Sequence, residues 1–459
     1  MKKAWEIEYQ LLHESIPVVL TEDEQSWKGI AAFEAMTDLT TKMKWSSNVP
    51  GSGAPESVIA GAVQSMENMG YDVRKAEKLL IAGRKAFAED DLRNLILITC
   101  QLWNLFGQLK MIHNHPYHQY KTYESYGQYC KKVDFSLRIP IDCTSFKFRS
   151  QMYHGWLAQI VGGAFGTALE GYVTKNIRSA FGEIRDYVRT PNTYNDDITY
   201  EIAFLEAYRK YGKKITSKDV ALEWVSVVPF GWSAEEIALK NIWAGILPPQ
   251  SGYFNNPYRE WIGAQMRGAI CGMLAPGDAK EAARLAFIDG VVSHYNNGVL
   301  GEIFNAVLVS LAFTATDVRH LIEQSVAAIP TDSEYYSVVS EALEVCRTGL
   351  DWESVWNLIE PRYKTYNWIH SYPNAAAEIV ALWFGNGDFE ETIHIVGMIG
   401  YDVDCNAAQI MTAIGIMNNH VPTKWAVPFK GEIVTYCRGM KRMTVASLTD
   451  DTIAAMQKG

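Results

Sequence analysis

The chain has 459 residues, 48% of them hydrophobic and 20% charged, and 52 Asp and Glu outnumber 42 Lys and Arg to give a formal net charge of −10. This acidic balance argues against binding to the phosphates of nucleic acids. The seven cysteines are odd in number and lack CxxC spacing, which disfavours a disulfide framework and a structural zinc site and favours a reducing cytoplasm.

Neither membrane insertion nor export is expected from the sequence. No apolar run approaches the roughly 18 residues that a membrane span requires. The first six residues turn acidic where a Sec signal peptide needs an apolar stretch. We therefore expect a cytoplasmic protein with neither a membrane nor a nucleic acid as partner.

The first third of the chain is predicted to be a helical unit. Five segments place apolar residues at helical spacing: 6–13, 31–43, 56–69, 73–87 and 92–109. Glu89, Asp90 and Asp91 fit an ordinary cap for the helix that starts at Leu92. Since 459 residues exceed one ordinary core, we predict a first domain over residues 1–145 that shapes access to the pocket of the second and supplies no metal ligand.

The rest of the chain is predicted to be a second, larger helical domain. Residues 134–149 read as an extended connector or an edge strand, because apolar residues alternate with others around Pro140. Helical periodicity then continues almost to the end, with breaks at four turn sequences: 229–231, 247–249, 276–278 and 385–387. The patterns predict an all-α protein whose second domain covers residues 146–445.

A glycine-rich segment, residues 155–171, opens this second domain. It lacks the strand and the lysine of a phosphate-binding loop, so a nucleotide motif is excluded. Glycines at 155, 162, 163 and 166 would let another backbone approach this helix closely. Glu170 follows as a lone acid at the helix end, where a solvated turn carboxylate is the ordinary interpretation.

Two further stretches place carboxylates at the start of amphipathic helices. Asp196 and Asp197 precede a helix predicted over 202–211, and Asp402 and Asp404 run into a small, apolar helix. Acids at helix starts are commonly caps. Two such clusters together favour a metal site, because hard divalent cations bind several oxygen ligands and helix N-termini keep carboxylates ionised. Four carboxylates could hold two cations about 3.5–4 Å apart.

The glycine-rich helix with its terminal Glu, then Asp-Asp, then Asp-x-Asp, in this order over residues 150–430, resembles the ADP-ribosylglycohydrolase family. The resemblance implies an all-α orthogonal helical bundle, here with an additional helical N-terminal unit. It also implies a hydrolase that cleaves an N- or O-glycosidic bond to ribose with two magnesium ions. The expected substrate is a small ribosyl or ADP-ribosyl compound or an ADP-ribosylated protein.

The resemblance also assigns site residues. It makes Glu170 the catalytic acid or base, and its metal positions fall on Asn195, Asp196, Asp197, Asp402, Asp404 and Cys405. Segments similar to a longer branch of the family suggest substrate-binding roles for five further residues: Trp261, Arg267, His294, His370 and Asn374. Cys405 stands where core members have Thr or Ser; since a thiolate is a poor magnesium ligand, either Cys405 does not coordinate or the second site prefers a softer ion such as manganese.

Two other functions stay open at the level of sequence. One is a different glycosidase or a nucleosidase on the same scaffold; three features favour it, namely Gly163 where many members have Asp, Asn195, and the large N-terminal addition. The other is a catalytically silent ribose or ADP-ribose binder. Such a binder could have lost the carboxylates, and here they are present.

Overall fold

The computed structural model describes residues 2–25, 30–135 and 138–457, and helices dominate it. The helices before residue 145 are α1 (Ala4–Glu14), α2 (Ile30–Trp45), α3 (Val58–Asn68), α4 (Arg74–Ala88), α5 (Leu92–Phe106) and α6 (Tyr126–Cys130). The first five match the five helices predicted from periodicity. Asp91 caps α5 as expected, because its carboxylate accepts a hydrogen bond from the Asn94 amide at 3.1 Å.

Helices continue through the rest of the chain. They are α7 (Phe146–Gly166), α8 (Thr174–Phe181), α9 (Asp197–Tyr211), α10 (Ser217–Val227), α11 (Ser233–Trp243), α12 (Gln250–Tyr253), α13 (Gly268–Met273), α14 (Ala279–Gly290), α15 (Asn297–Ala312), α16 (Val318–Ala327), α17 (Glu334–Cys346), α18 (Trp352–Ile359), α19 (Ser371–Gly385), α20 (Phe389–Ile399), α21 (Val403–Asn418), α22 (Thr423–Ala426) and α23 (Val445–Gln457). The four predicted breaks fall between or at the ends of these helices. The all-α fold class is confirmed.

Three short antiparallel strand pairs join the helices: β1 (Ser47–Asn48) with β2 (Pro55–Glu56), β3 (Tyr172–Val173) with β4 (Gly400–Tyr401), and β5 (Glu432–Val434) with β6 (Arg442–Thr444). The sequence patterns predicted none of them. The edge strand considered for residues 134–149 is not found in the described part of that stretch. Ile139 there donates a single backbone hydrogen bond to Gly277, while residues 136 and 137 lie outside the described residues.

The buried apolar side chains form two cores. The larger one lies mainly among helices α7 to α23 and also includes Tyr129 of α6. Helix α15 within it is buried along its whole length, as expected of a mostly apolar helix. The smaller core joins residues 45–106 to Ala234, Ile237, Tyr258 and Trp261 of the larger body. A domain boundary at residue 145 stays a prediction. Within the described residues, every helix is too short or too polar to cross a membrane.

Candidate functional site

The glycine-rich helix α7 positions one half of the candidate site by packing tightly on α21. A Cβ atom built on Gly166 would overlap the backbone of Asp404, and one built on Gly162 would overlap the carbonyl of Ala407. Glycine is therefore needed at both positions for the two backbones to approach this closely. The contact brings the C-terminal end of α7 to the N-terminal end of α21.

The β3–β4 pair then fixes the loop that carries Glu170. Tyr172 pairs with Tyr401, and the Gly171 amide donates to the Tyr401 carbonyl at 2.8 Å. Gly400 has φ +85, and a Cβ there would overlap the Tyr172 carbonyl, so the turn into α21 requires glycine. Glu170 comes just before Gly171 and Asp402 comes just after Tyr401, so the pairing holds these two acids close together.

Five predicted site residues meet where α7, α9 and α21 converge. Ligand atoms of Asp197, Asp404 and Cys405 lie within 4.8 Å of one another, and so do those of Glu170, Asp402 and Asp404. The two groups share Asp404, which places them side by side. All of these side chains are buried except Glu170, which is half-buried. The arrangement has the residue types and spacing of a site for one or two hard cations.

Asn195 and Asp196 lie at the edge of this cluster. The Asn195 amide donates to a carboxylate oxygen of Asp197 at 3.1 Å and so orients it. Asp196 is exposed and belongs to neither compact group of the described residues. A small cavity beneath Asp197 is also lined by Asn195 and Gly163, where an added Cβ would lie 2.9 Å from the Asn195 amide nitrogen.

Two buried carboxylate oxygens in the cluster have no hydrogen-bond partner among the described residues: Oδ1 of Asp197 and Oδ1 of Asp402. A buried charged oxygen without a partner is costly, so native proteins pair such atoms or use them to bind a metal. Both oxygens lie among other carboxylates rather than near a cation of the protein. The donor set therefore fits a bound divalent cation.

Electrostatics in the cluster point the same way. Burial, followed by the charges of Asp404 and Asp402, raises the pKa of Glu170 well above its usual range. Burial and the Asp196 charge raise the pKa of Asp404 to about 6. Burial also raises the pKa of the Cys405 thiol. Carboxylates raise one another's pKa values because their negative charges repel, and a bound cation would offset that repulsion.

Asn374 connects this cluster to the loop before α19. Its side-chain oxygen accepts from the Asp402 amide at 3.1 Å and from the Asn406 side chain at 2.8 Å. Its side-chain nitrogen donates to the carbonyls of Trp368 and His370 at 2.8 and 2.9 Å. Asn374 is fully buried, and these bonds hold the start of α21 in place.

The other four residues expected to bind substrate are all buried. Arg267 and His294 lie beside Glu235, and Trp261 and His370 lie next to each other at the smaller core. Arg267 pairs with Asp289 and Glu235, and its guanidinium lies over the Trp224 ring. His294 is hydrogen-bonded to Ser293, and burial holds its pKa well below the usual range.

Trp261 packs where Gly61 of α3 leaves room, and His370 caps the start of α19 by accepting from the Tyr372 amide at 3.2 Å. Burial lowers the pKa of His370 to about 3, so this ring is neutral. Both side chains are enclosed by protein groups.

Sequence reasoning missed a loop of the N-terminal third that packs beside Glu170. Gly51 has φ +104 and lies against Thr167, and the Ser52 carbonyl accepts from the Tyr172 hydroxyl at 3.3 Å. Ala54 lies against Gly171, next to Glu170. No local pattern in residues 49–56 signals this contact, because it depends on how two distant parts of the chain pack.

The chain is similar to known proteins over most of its length after residue 145. The family model described as ADP-ribosylglycohydrolase matches residues 145–458. An "uncharacterized protein" from Archaeoglobus fulgidus is 23% identical over 282 residues, which cover 59% of this chain and 88% of that protein. A solved structure described as an "ADP-ribosylglycohydrolase-related protein complex" aligns with a TM-score of 0.46 at 16% identity, covering 68% of this chain and 98% of that one. Because the family model matches more than half of this chain, the chain belongs to the ADP-ribosylglycohydrolase family and is a glycosyl hydrolase of that type.

Proposed function

We propose that this protein hydrolyses an N- or O-glycosidic bond to the anomeric carbon of ribose, in an ADP-ribosyl or related ribosyl substrate, and that the reaction depends on divalent cations. The observation that carries the proposal is the pair of unpartnered buried oxygens on Asp197 and Asp402, within a cluster of acids. Cleavage of a glycosidic bond passes through an oxocarbenium-like state, which nearby carboxylates stabilise.

Two cation positions are proposed. Asp197, Asp404 and Cys405 would hold one ion, and Asp402 and Asp404 the other, with Asp196 and Asn195 completing the first set from the edge. Magnesium is the expected ion, with manganese as the alternative because of the Cys405 sulfur. Bound ions would orient the vicinal hydroxyls of a ribose and offset the negative charge of the cluster.

Glu170 is proposed as the general acid or base. It ends the loop after α7, it is the half-buried acid beside Asp402 and Asp404, and it is therefore reachable by a substrate. A carboxyl in this position can protonate the leaving group or take a proton from the attacking water. For Asn374 we propose an indirect role, because its hydrogen bonds go to protein groups that orient Asp402.

A panel of ribosides tests the proposal. Free ribose or ADP-ribose would be measured after incubation with N-linked, O-linked and protein-linked substrates, with magnesium or manganese and with a chelator. We expect cleavage of at least one class, and its loss with chelator. Cation binding, measured by calorimetry, should be lost in Asp404→Asn and retained in Asp388→Asn, which alters an exposed cap acid of α20.

Each outcome separates one part of the proposal from another. If no riboside is cleaved although the protein binds cations and free ADP-ribose, the protein is a binder. Cleavage of plain nucleosides alone would indicate a nucleosidase. Cleavage that survives both the chelator and Asp404→Asn would contradict the metal site.

A further inference from the structure

The first two helices expose apolar side chains that the rest of the described chain leaves uncovered. In α1, Leu12 is 74% exposed, and in α2, Phe33 is 74% exposed. Over the described residues 4–25 and 30–39, which we call the N-terminal arm, thirteen large apolar side chains are exposed: Trp5, Ile7, Tyr9, Leu11, Leu12, Ile16, Val18, Val19, Leu20, Ile30, Phe33, Met36 and Leu39. Single exposed apolar residues need no explanation, but a continuous run of this kind indicates an interaction surface.

The arm is attached to the molecule at one end. Helix α1 has no buried residue, and in α2 the only buried residue is Trp45, the last one. Trp45 packs against Gly83 of α4, and its indole donates to Thr99 of α5 at 2.8 Å. The arm thus precedes an anchored helix end, and none of the arm's described side chains is buried.

Helix α1 is apolar on two opposite faces. Trp5, Tyr9 and Leu12 have the spacing of one face, and Ile7 and Leu11 lie on the other. Polar residues, among them Glu6 and Gln10, separate these two faces. A membrane surface would cover one face of such a helix, whereas a bundle of several helices covers both.

The exposed area matches what a dimer needs. Nine of the thirteen side chains lie in α1 and α2; at roughly 80 Å² each they expose about 700 Å² of apolar surface, more than the few hundred Å² that a monomer usually exposes and close to the roughly 800 Å² per partner of a standard interface. Charge is also arranged for self-association. Lys2 and Lys3 precede α1 and Glu14 ends it, so two antiparallel copies of α1 would place opposite charges together.

We propose that the N-terminal arm is a homodimerisation element, in which α1 and α2 of two copies of this chain pack as a four-helix bundle with the two α1 helices antiparallel. The contact is isologous, so each copy supplies and receives the same surface. It lies outside the residues matched by the family model and does not involve the proposed catalytic cluster. It therefore holds whether or not the proposed reaction is correct.

The oligomeric state of the full chain tests this inference. Light scattering after size exclusion and sedimentation velocity should show a dimer for the wild type at micromolar concentration. Leu12→Asp should raise the dimer dissociation constant by roughly 30-fold or more, as loss of a central apolar contact does. Ile81→Asp is the matched control, because Ile81 is 71% exposed on α4 outside the arm. It should remain dimeric.

A charge exchange tests the antiparallel arrangement separately. Lys3→Glu should weaken the dimer, and adding Glu14→Lys should restore it. Since α1 buries no residue, none of these variants should change the melting temperature of the body. A wild type that stays monomeric, whether or not it binds phospholipid vesicles, overturns the proposal, and so does a Leu12→Asp variant that dimerises like the wild type. A double variant weaker than Lys3→Glu alone overturns the antiparallel arrangement.

Discussion

Asp196 and Asp402 each occupy the position just before a helix, yet neither side chain caps that helix. Other acids in the same position do so, and Asp91 and Asp388 each accept a hydrogen bond from the first turn. The commonest role of an aspartate at a helix start is therefore not the role of these two. Their carboxylates stay available for a cation, which is the distinction that a sequence pattern alone does not make.

Among single substitutions, Glu170→Gln is the sharpest test of the proposed proton transfer. The change keeps size and shape but removes proton transfer, so turnover should fall by roughly 10²–10⁴-fold. Cation affinity should stay near that of the wild type if Glu170 is an acid or base. Turnover on the best riboside and calorimetric titration with magnesium measure the two effects. Loss of cation binding would instead make Glu170 a ligand, and unchanged turnover would assign proton transfer to another group.

Arg267 offers a second test at the residue scale. It is fully buried and paired with Glu235 and Asp289, so Arg267→Ala would leave buried acids without their cation and cost about 3–5 kcal/mol. Thermal unfolding should show a clear loss of stability for this variant and a smaller one for Arg267→Lys. Arg185→Ala, which breaks an exposed pair with Glu391, is the control and should change stability by under ~1 kcal/mol. If Arg267→Lys is as stable as wild type but has a raised KM, Arg267 contacts substrate as the sequence resemblance implied.

Between elements, the close packing of α7 on α21 decides where the acids meet. Gly162 and Gly166 face the first turns of α21, and the β3–β4 pair closes the same junction from the other side. Because the carboxylates sit on the ends of these elements, a small shift between the helices would move Glu170 relative to Asp404. Precision of the site depends on glycine at the contact rather than on the acids alone.

Gly166→Ala should therefore damage both folding and site geometry. The added Cβ overlaps the Asp404 backbone, which cannot move aside as a flexible side chain could, so a loss of about 1–3 kcal/mol or more is expected. Gly127→Ala is the matched control, since Gly127 lies in α6 with no atom within 4 Å of the added Cβ. That variant should be neutral or slightly more stable. Equal melting temperatures for the two variants would contradict the packing argument.

For the whole molecule, the acidic cluster couples stability to pH and to cations. Asp404 has a folded pKa of about 6 against an ordinary value of 3.8, so the folded state binds its proton more tightly than the unfolded state does. The stability that this group contributes is greatest below pH 4, falls as pH rises through 4 to 6, and is lost above 6. Two pK units correspond to about 3 kcal/mol, which is an upper value for one member of an interacting group.

We expect the melting temperature of chelator-treated protein to fall between pH 5 and pH 8. The fall should be several degrees larger than that of the same protein with magnesium or manganese. Burial also raises the pKa values of Glu201 and Glu235 to about 8 and 7, and these acids add the same slope to both curves. The difference between the curves therefore isolates the cluster. Asp404→Asn should shrink that difference. Curves that coincide with and without cation would rule out a cation site in the folded protein.

The sequence by itself determined the helical class, the first five helices and the membership of the chain in its family. These features depend on local signals, namely apolar spacing, turn residues and short motifs in a fixed order. The two acidic clusters were visible for the same reason, since each lies within a few residues at a helix start. The short strand pairs were not, because two or three residues carry too little pattern to mark a strand.

Only the tertiary structure decided how these acids are arranged. It placed Asp197, Asp402 and Asp404 with Glu170 and left Asp196 exposed at the edge, and it buried Arg267 in an ionic cluster. Contacts between residues more than two hundred positions apart depend on how α7, α9 and α21 pack, and no periodicity along the chain encodes that distance. Asn374 shows the same limit, because its role at Asp402 follows from hydrogen bonds with the Asp402 amide and the Asn406 side chain, which exist only once α19 and α21 lie side by side.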